Sequence, residues 1–197
     1  KREASPRMSY PTSPAFSAIN LQSESPTLFS ETVSGRMQSR KIGGQKWTFT
    51  ASYAPMTRTE FNPIFAYTVA QQGRHGVFTV TPSEISSPSG TVSGTVTCSA
   101  AAAGLVSVTI AGLTGTFKAG DVIKFSGHSK VYMLTADRAG NGAMAFTPPL
   151  IAAVSSSDTV IYNNVPFTVR LSNDIQGYKL GAGMLYRYEV DFVEALS

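Results

Sequence analysis

The stretch from Lys46 to Pro82 constrains the fold more than any other, because it changes period twice within one short span. Trp47, Phe49, Ala51 and Tyr53 share one face, and Lys46, Thr48, Thr50 and Ser52 the other, which is the period of a strand with one buried side. Pro55 ends that strand, having no N–H to give a ladder. Thr57 and Glu60 have the spacing of a capping box, with Met56 and Phe61 placed as its hydrophobic staple. Pro63 lies too deep for a helix capped at Thr57, so the expectation is a short turn over 57–60 and then a helix with Asn62 as cap and Pro63 at its first position. Ile64, Phe65, Thr68 and Val69 form the apolar stripe of that helix. Gly73 suits a left-handed C-cap, and Val77, Phe78 and Val80 resume as a strand that stops at Pro82.

A chain of 197 residues makes one domain, or one domain carrying an insertion. Charged residues are 14% and hydrophobic ones 42%, so a core is possible while the surface is hydroxyl-rich and poor in charge. Such a surface suits a β protein that buries itself against partners, and equally a β domain with polar loops. The single Cys98 excludes an internal disulfide framework, and its place in an alternating run with Val92 and Val96 reads as a small buried hydrophobe. The longest apolar stretch, 98–113, is too short and interrupted to span a membrane, and no apolar core of a signal peptide follows the basic start. Met8 reads as a natural start, with 1–7 an upstream extension or tag. Residues 1–74 hold nine basic and four acidic side chains, and Arg36, Arg40, Lys41 and Lys46 have no acid among them. Without interleaved aromatics this run reads as a solvated loop before a nucleic-acid patch.

Residues 1–14, rich in Pro and Ser, read as a flexible N-terminal arm. Residues 15–34 give two short strands, and 36–42, bracketed by Gly35 and Gly43-Gly44, one arm of a hairpin. From Ser83 the chain becomes Ser/Thr/Gly/Ala-rich, with strands at 92–98, 105–110, 121–125, 129–135 and 143–147, the rhythm of a small barrel or sandwich. From Val165 the first style returns: Phe167, Val169 and Leu171 alternate with polar residues. A long strand then carries Met184, Tyr186, Tyr188, Val190 and Phe192 on one face. The reading is a split β-sandwich, 15–84 plus 163–197, with a small β-module inserted at 85–162.

The sequence offers no chemistry. His75 and His128 each lie in a Gly-flanked turn and read as exposed; with Cys98 near neither, no metal ligand set forms. No nucleophile elbow, phosphate-binding loop or dinucleotide fingerprint is present. Arg187, Glu189 and Asp191 share a polar strand face, which cross-strand ion pairing explains better than acid–base catalysis. We therefore expect no catalytic residue, no metal and no cofactor.

The order strand, Pro, helix, Gly-Arg-His-Gly-Val-Phe strand, β-module, final strands resembles the tail-tip proteins of tailed bacteriophages. It is carried by KWTFTASY, FNPIFAYTVAQQGRHGVFTV, KAGDVIKFSGHSKVYMLTADRAGNG, VPFTVRLSND and LYRYEVDFVEAL, over most of 15–197. In particular it is similar to distal tail proteins. The inserted module is smaller than the carbohydrate-binding insertions that some of them carry. The resemblance implies a mainly β, tail-tube-like split sandwich with an inserted small barrel. It implies a structural virion protein, assembled in the host cytoplasm and not an enzyme, that forms a hexameric ring at the distal end of the tail. Its partners would be copies of itself, the tail tube protein and the tail hub or tip proteins. Nucleic acid would be met only as the genome passing through the lumen, with no membrane insertion. On that reading Phe16, Arg36, Met37, Arg40, Lys41 and Ile42 serve the oligomer interface, and Arg187, Glu189 and Asp191 a polar lumen face. The competing expectation is a host-surface glycan-binding module.

Overall fold

The alternation that begins at Lys46 becomes a strand with Trp47, Phe49 and Ala51 buried and the residues between them half-exposed. The computed structural model describes residues 9–156 and 158–196. In chain order its elements are β1 (Ala18–Glu24), β2 (Thr27–Glu31), β3 (Met37–Lys41), β4 (Lys46–Ser52), α1 (Arg58–Ala70), β5 (Phe78–Val80), β6 (Thr97–Cys98), β7 (Ser107–Ala111), β8 (Thr116–Phe117) and β9 (Val122–Phe125). There follow β10 (Val131–Leu134), β11 (Arg138–Ala139), β12 (Gly142–Thr147), β13 (Val160–Ile161), β14 (Phe167–Leu171), β15 (Lys179–Leu180), β16 (Tyr186–Arg187) and β17 (Glu189–Glu194). The expected class is the one the chain adopts: mainly β with one helix, sandwich-like sheets, and a small barrel between them.

The first core lies on a five-stranded antiparallel sheet in the order β1-β4-β17-β14-β5. The last strand is therefore its centre, as its regular alternation requires. Phe49, Phe167, Phe192 and Phe78 interlock on the buried face, with ring centroids 4.9–5.9 Å apart. α1 covers the same face with Phe61, Ile64 and Thr68. The second core fills a six-stranded sheet in the order β13-β9-β10-β12-β7-β6. Its two edges meet through the Thr97–Thr159 bridge, which nearly closes a barrel, and Cys98 is buried at that seam. The tight turns that closure needs place Gly115 at φ +87, where a Cβ would stand 2.1 Å from the Thr91 carbonyl oxygen.

β9 is buried along its whole length, which a barrel wall facing solvent would not be. Ile123 and Phe125 point into the barrel core, while Val122, with Val131 of β10, belongs to the core of the sandwich. The barrel wall thus forms part of the sandwich, and β9 is buried on both faces even at Lys124, whose ammonium donates to the Pro166 carbonyl. The ends of this segment meet, since the Val165 N–H donates to the Ser86 carbonyl at 2.9 Å.

Several local expectations are corrected. α1 starts at Arg58, not at Pro63, because the capping box at Thr57 forms: the Glu60 carboxylate accepts both the N–H and the hydroxyl of Thr57, at 2.9 and 2.8 Å. These bonds hold the Glu60 carboxyl below its ordinary range. Pro63 sits inside the helix and forgoes one backbone bond; the cap and the burial of Phe61 offset it. Val69 is exposed, and Phe61 takes the place it was given in the stripe. The first left-handed residue after α1 is Gln72 (φ 55), with Gly73 following at φ 65. Met184 lies in a 3-10 turn at positive φ and is exposed, and the expected long strand divides into β16 and β17, of which only β17, from Glu189, belongs to the five-stranded sheet. His128 is buried, not exposed, with Nδ1 3.0 Å from the Tyr132 hydroxyl. The expected arm 1–14 is not free over 9–14: Tyr10 is 3% exposed, packs on Phe78 and Phe192, and donates its N–H to the Thr79 carbonyl. Residues 1–8 lie outside the described residues.

Candidate assembly surfaces

Three features outside the two cores could carry function: the seam between sandwich and barrel, the β2–β3 hairpin, and the end of the sheet around β16 and β17.

At the seam the Trp47 indole N–H donates to the Val131 carbonyl at 2.8 Å. The Glu194 carboxylate accepts the backbone N–H of Trp47 at 3.1 Å and of Val131 at 2.9 Å, and pairs with the Lys130 ammonium. The side chains of Lys130 and Glu194 are fully buried, and Lys130 lies 5.6 Å over the Trp47 ring. Burial pushes the Lys130 pKa down, and the Glu194 carboxylate opposes that shift. Lys124 adds a bond to the Pro166 carbonyl. Every charge here is satisfied within the chain, so the seam is a structural joint. Sequence reading missed it, although a signal was present: Glu194 has the same parity as Val190 and Phe192, which put a lone carboxylate on the core face of the last strand.

The hairpin has the opposite character. All residues of β2 and β3 are exposed, and each strand pairs only with the other. Leu28, Phe29, Met37 and Ile42 are each more than half exposed. An isolated two-stranded ribbon is marginal in water, and this one carries large apolar side chains on both faces. The structure brings five of the expected interface residues together here: Arg36, Met37, Arg40, Lys41 and Ile42. Phe16 lies apart, half-buried against Tyr53 and Tyr10 at the other end of β1, roughly 20 Å away at about 3.3 Å per residue.

The polar face of β17 holds carboxylates and hydroxyls. Asp191 accepts from the Thr50 hydroxyl at 2.6 Å and from the Asn173 amide at 3.2 Å, and Glu189 accepts from the Ser52 hydroxyl at 3.2 Å. The expected cross-strand ion pairing is not found, because the register puts Thr50 and Ser52 opposite these carboxylates. Arg187 lies off this sheet on β16, directly opposite Lys179. Beside it a groove of about 800 Å³ is lined by Tyr53, Tyr178, Tyr188 and Glu189 among others. Among the described residues no three His, Cys, Asp or Glu side chains gather as metal ligands.

The profile of the B domain of distal tail protein pb9 matches residues 84–165. Over 163 residues the chain is 24% identical to distal tail protein pb9 of Escherichia phage T5, with 80% of each chain covered. The chain is similar to the phage distal tail proteins. The resemblance read in the sequence is thereby borne out: both matches are to a phage distal tail protein. The match to the distal tail protein B domain runs over the barrel and its two linkers, from Glu84, just before Ser86, to Val165, which bonds it.

Proposed function

We propose that the chain is a structural subunit of the virion that closes into a six-membered ring at the distal end of a phage tail and links the tail tube to the hub or tip. It would assemble in the host cytoplasm. Residues 15–84 and 163–197 form the ring domain, and 85–162 an inserted module held on its side; the bond between Val165 and Ser86 supports this division. The observation that carries the reading is the β2–β3 hairpin, exposed on both faces. A ribbon with Leu28, Phe29, Met37 and Ile42 in water gains by burying them in another copy.

The polar face of the five-stranded sheet supplies the lumen wall, with Asp191, Thr48 and Thr50 at its middle and Glu189 at its margin. On this face the carboxylates of Glu189 and Asp191 stand against the cations of Arg170 and Lys46, so the hydroxyl-lined surface offers a nucleic-acid backbone no net basic patch to hold it. The test is the mass of the purified chain in solution as its concentration is raised. A single closed species several times the monomer mass is expected. A monomer that instead binds host-surface glycan would overturn the ring and support a receptor-binding module.

A further inference from the structure

The hairpin and the groove match in chemistry. The β2–β3 register places Lys41, Phe29, Met37 and Glu31 on one face of the ribbon: Lys41 lies at its base, Phe29 in the middle, and Met37 with Glu31 toward the tip. The groove is lined by Tyr53, Tyr178 and Tyr188 together with Glu189, Lys179 and Arg187; Arg187 and Glu189 flank Tyr188 in sequence, and Lys179 is the partner of Arg187 across β15 and β16. The ion pairs among the described residues are Lys118–Asp137 and Lys130–Glu194, so none of these five charged groups has one. Lys179 and Arg187 face each other directly across β15 and β16, both exposed. Like charges in that position destabilise a ribbon unless an anion comes between them.

The two surfaces also lie at opposite ends of one strand pair. The hairpin continues from the Glu24–Lys46 end of β1 and β4, and the groove opens beside Ser52 and Tyr53 at the other end. Two different complementary patches at opposite ends make a heterologous contact, which closes into a ring when the rotation per copy allows.

We infer that the groove between Tyr53, Tyr178 and β16 is the seat of the β2–β3 hairpin of the next copy of this chain. Phe29 and Met37 enter among the tyrosines, Lys41 meets Glu189, and Glu31 comes between Lys179 and Arg187. This contact rests on the ring reading and names the surfaces that would make it.

The test is a charge reversal in trans, using full-length chains and sedimentation velocity over a concentration series. Lys41→Glu and Glu189→Lys are each exposed changes that leave the thermal transition in place. Each alone raises the concentration needed for half-assembly, on the order of tenfold. An equimolar mixture restores assembly, because each altered hairpin then meets an altered groove and each native hairpin a native one. Phe29→Ser, also exposed, weakens assembly and is not rescued by either partner. If wild type forms rings and both charge variants assemble as well as it does, this contact is overturned while the ring stands. If wild type forms no ring at any concentration, the ring reading falls and the contact with it.

Discussion

Lys130, at the entrance to a barrel strand, and Glu194, at the end of the last strand of the sheet, form an ion pair that is fully buried. The two residues come from the two structural styles of the sequence. Their meeting fixes the barrel against the sandwich at the one place where Trp47 also bonds across. Such a pair adds little net stability when intact, since desolvating both charges offsets their attraction, but removing one partner strands the other.

Glu194→Gln should therefore destabilise the chain by about 3–5 kcal/mol in urea unfolding followed by tryptophan fluorescence. The amide keeps one acceptor but leaves the Lys130 ammonium uncompensated and turns an NH₂ toward the Trp47 or Val131 N–H. Lys130→Met should cost less, because the carboxylate keeps both backbone donors.

Removal of residues 1–14 should lower stability, and the loss should be traceable to one side chain. Tyr10 is buried, and its hydroxyl lies 3.2 Å from that of Tyr53. Tyr10→Ala should cost about 3–5 kcal/mol, as a large core aromatic does, and Tyr10→Phe about 1 kcal/mol for the lost hydrogen bond. Urea midpoints unchanged in both variants would contradict the packing.

On α1, Phe61→Ala should cost about 3–5 kcal/mol. Phe65→Ala should cost clearly less, since Phe65 is half-buried, and Val69→Ser should be near neutral, since Val69 is 53% exposed. The ranking of the three, read from thermal denaturation, checks which side of the helix faces the core.

The period-two runs made much of this legible. The face of Trp47, Phe49 and Ala51 and the central place of the last strand both appear as read. The errors come where a local rule met a tertiary contact. Pro63 argued for a later helix start, and the Thr57–Glu60 cap overrode it. The Pro/Ser composition of 1–14 argued for an arm, and the ring of Tyr10 found a pocket of aromatics. Glycines around His128 argued for exposure, but the barrel closes over it. The groove was invisible because Tyr53, Tyr178 and Glu189 are far apart in sequence and are joined only by the folding of β15 and β16 onto α1 and β4.

Alkaline pH should unfold the chain through its tyrosines. Burial raises the pKa of Tyr10, Tyr53, Tyr67, Tyr132 and Tyr188, and pushes Tyr67 and Tyr132 up to about 12. In the unfolded chain these groups ionise near 10.0. Their contribution is complete below that pH and is lost as pH rises above it, where the unfolded state releases protons that the folded state keeps. Lys130 works the other way: with its folded pKa lowered, the unfolded chain binds the extra proton and stability rises with pH just below 10.5. One lysine against five tyrosines leaves a net loss above pH 10. In a spectrophotometric titration, five of the eight tyrosines should ionise only together with unfolding. Titration of all eight near 10.0 in a chain that stays folded would contradict this.

The symmetry of the assembled particle tests the account most directly. Electron cryo-microscopy class averages of the purified chain should show a closed six-fold ring with a central opening, a particle six times the 20.9 kDa of one chain. The hairpin of each copy should lie on its neighbour. Isolated monomers at all concentrations, or open filaments with no closed ring, would contradict it.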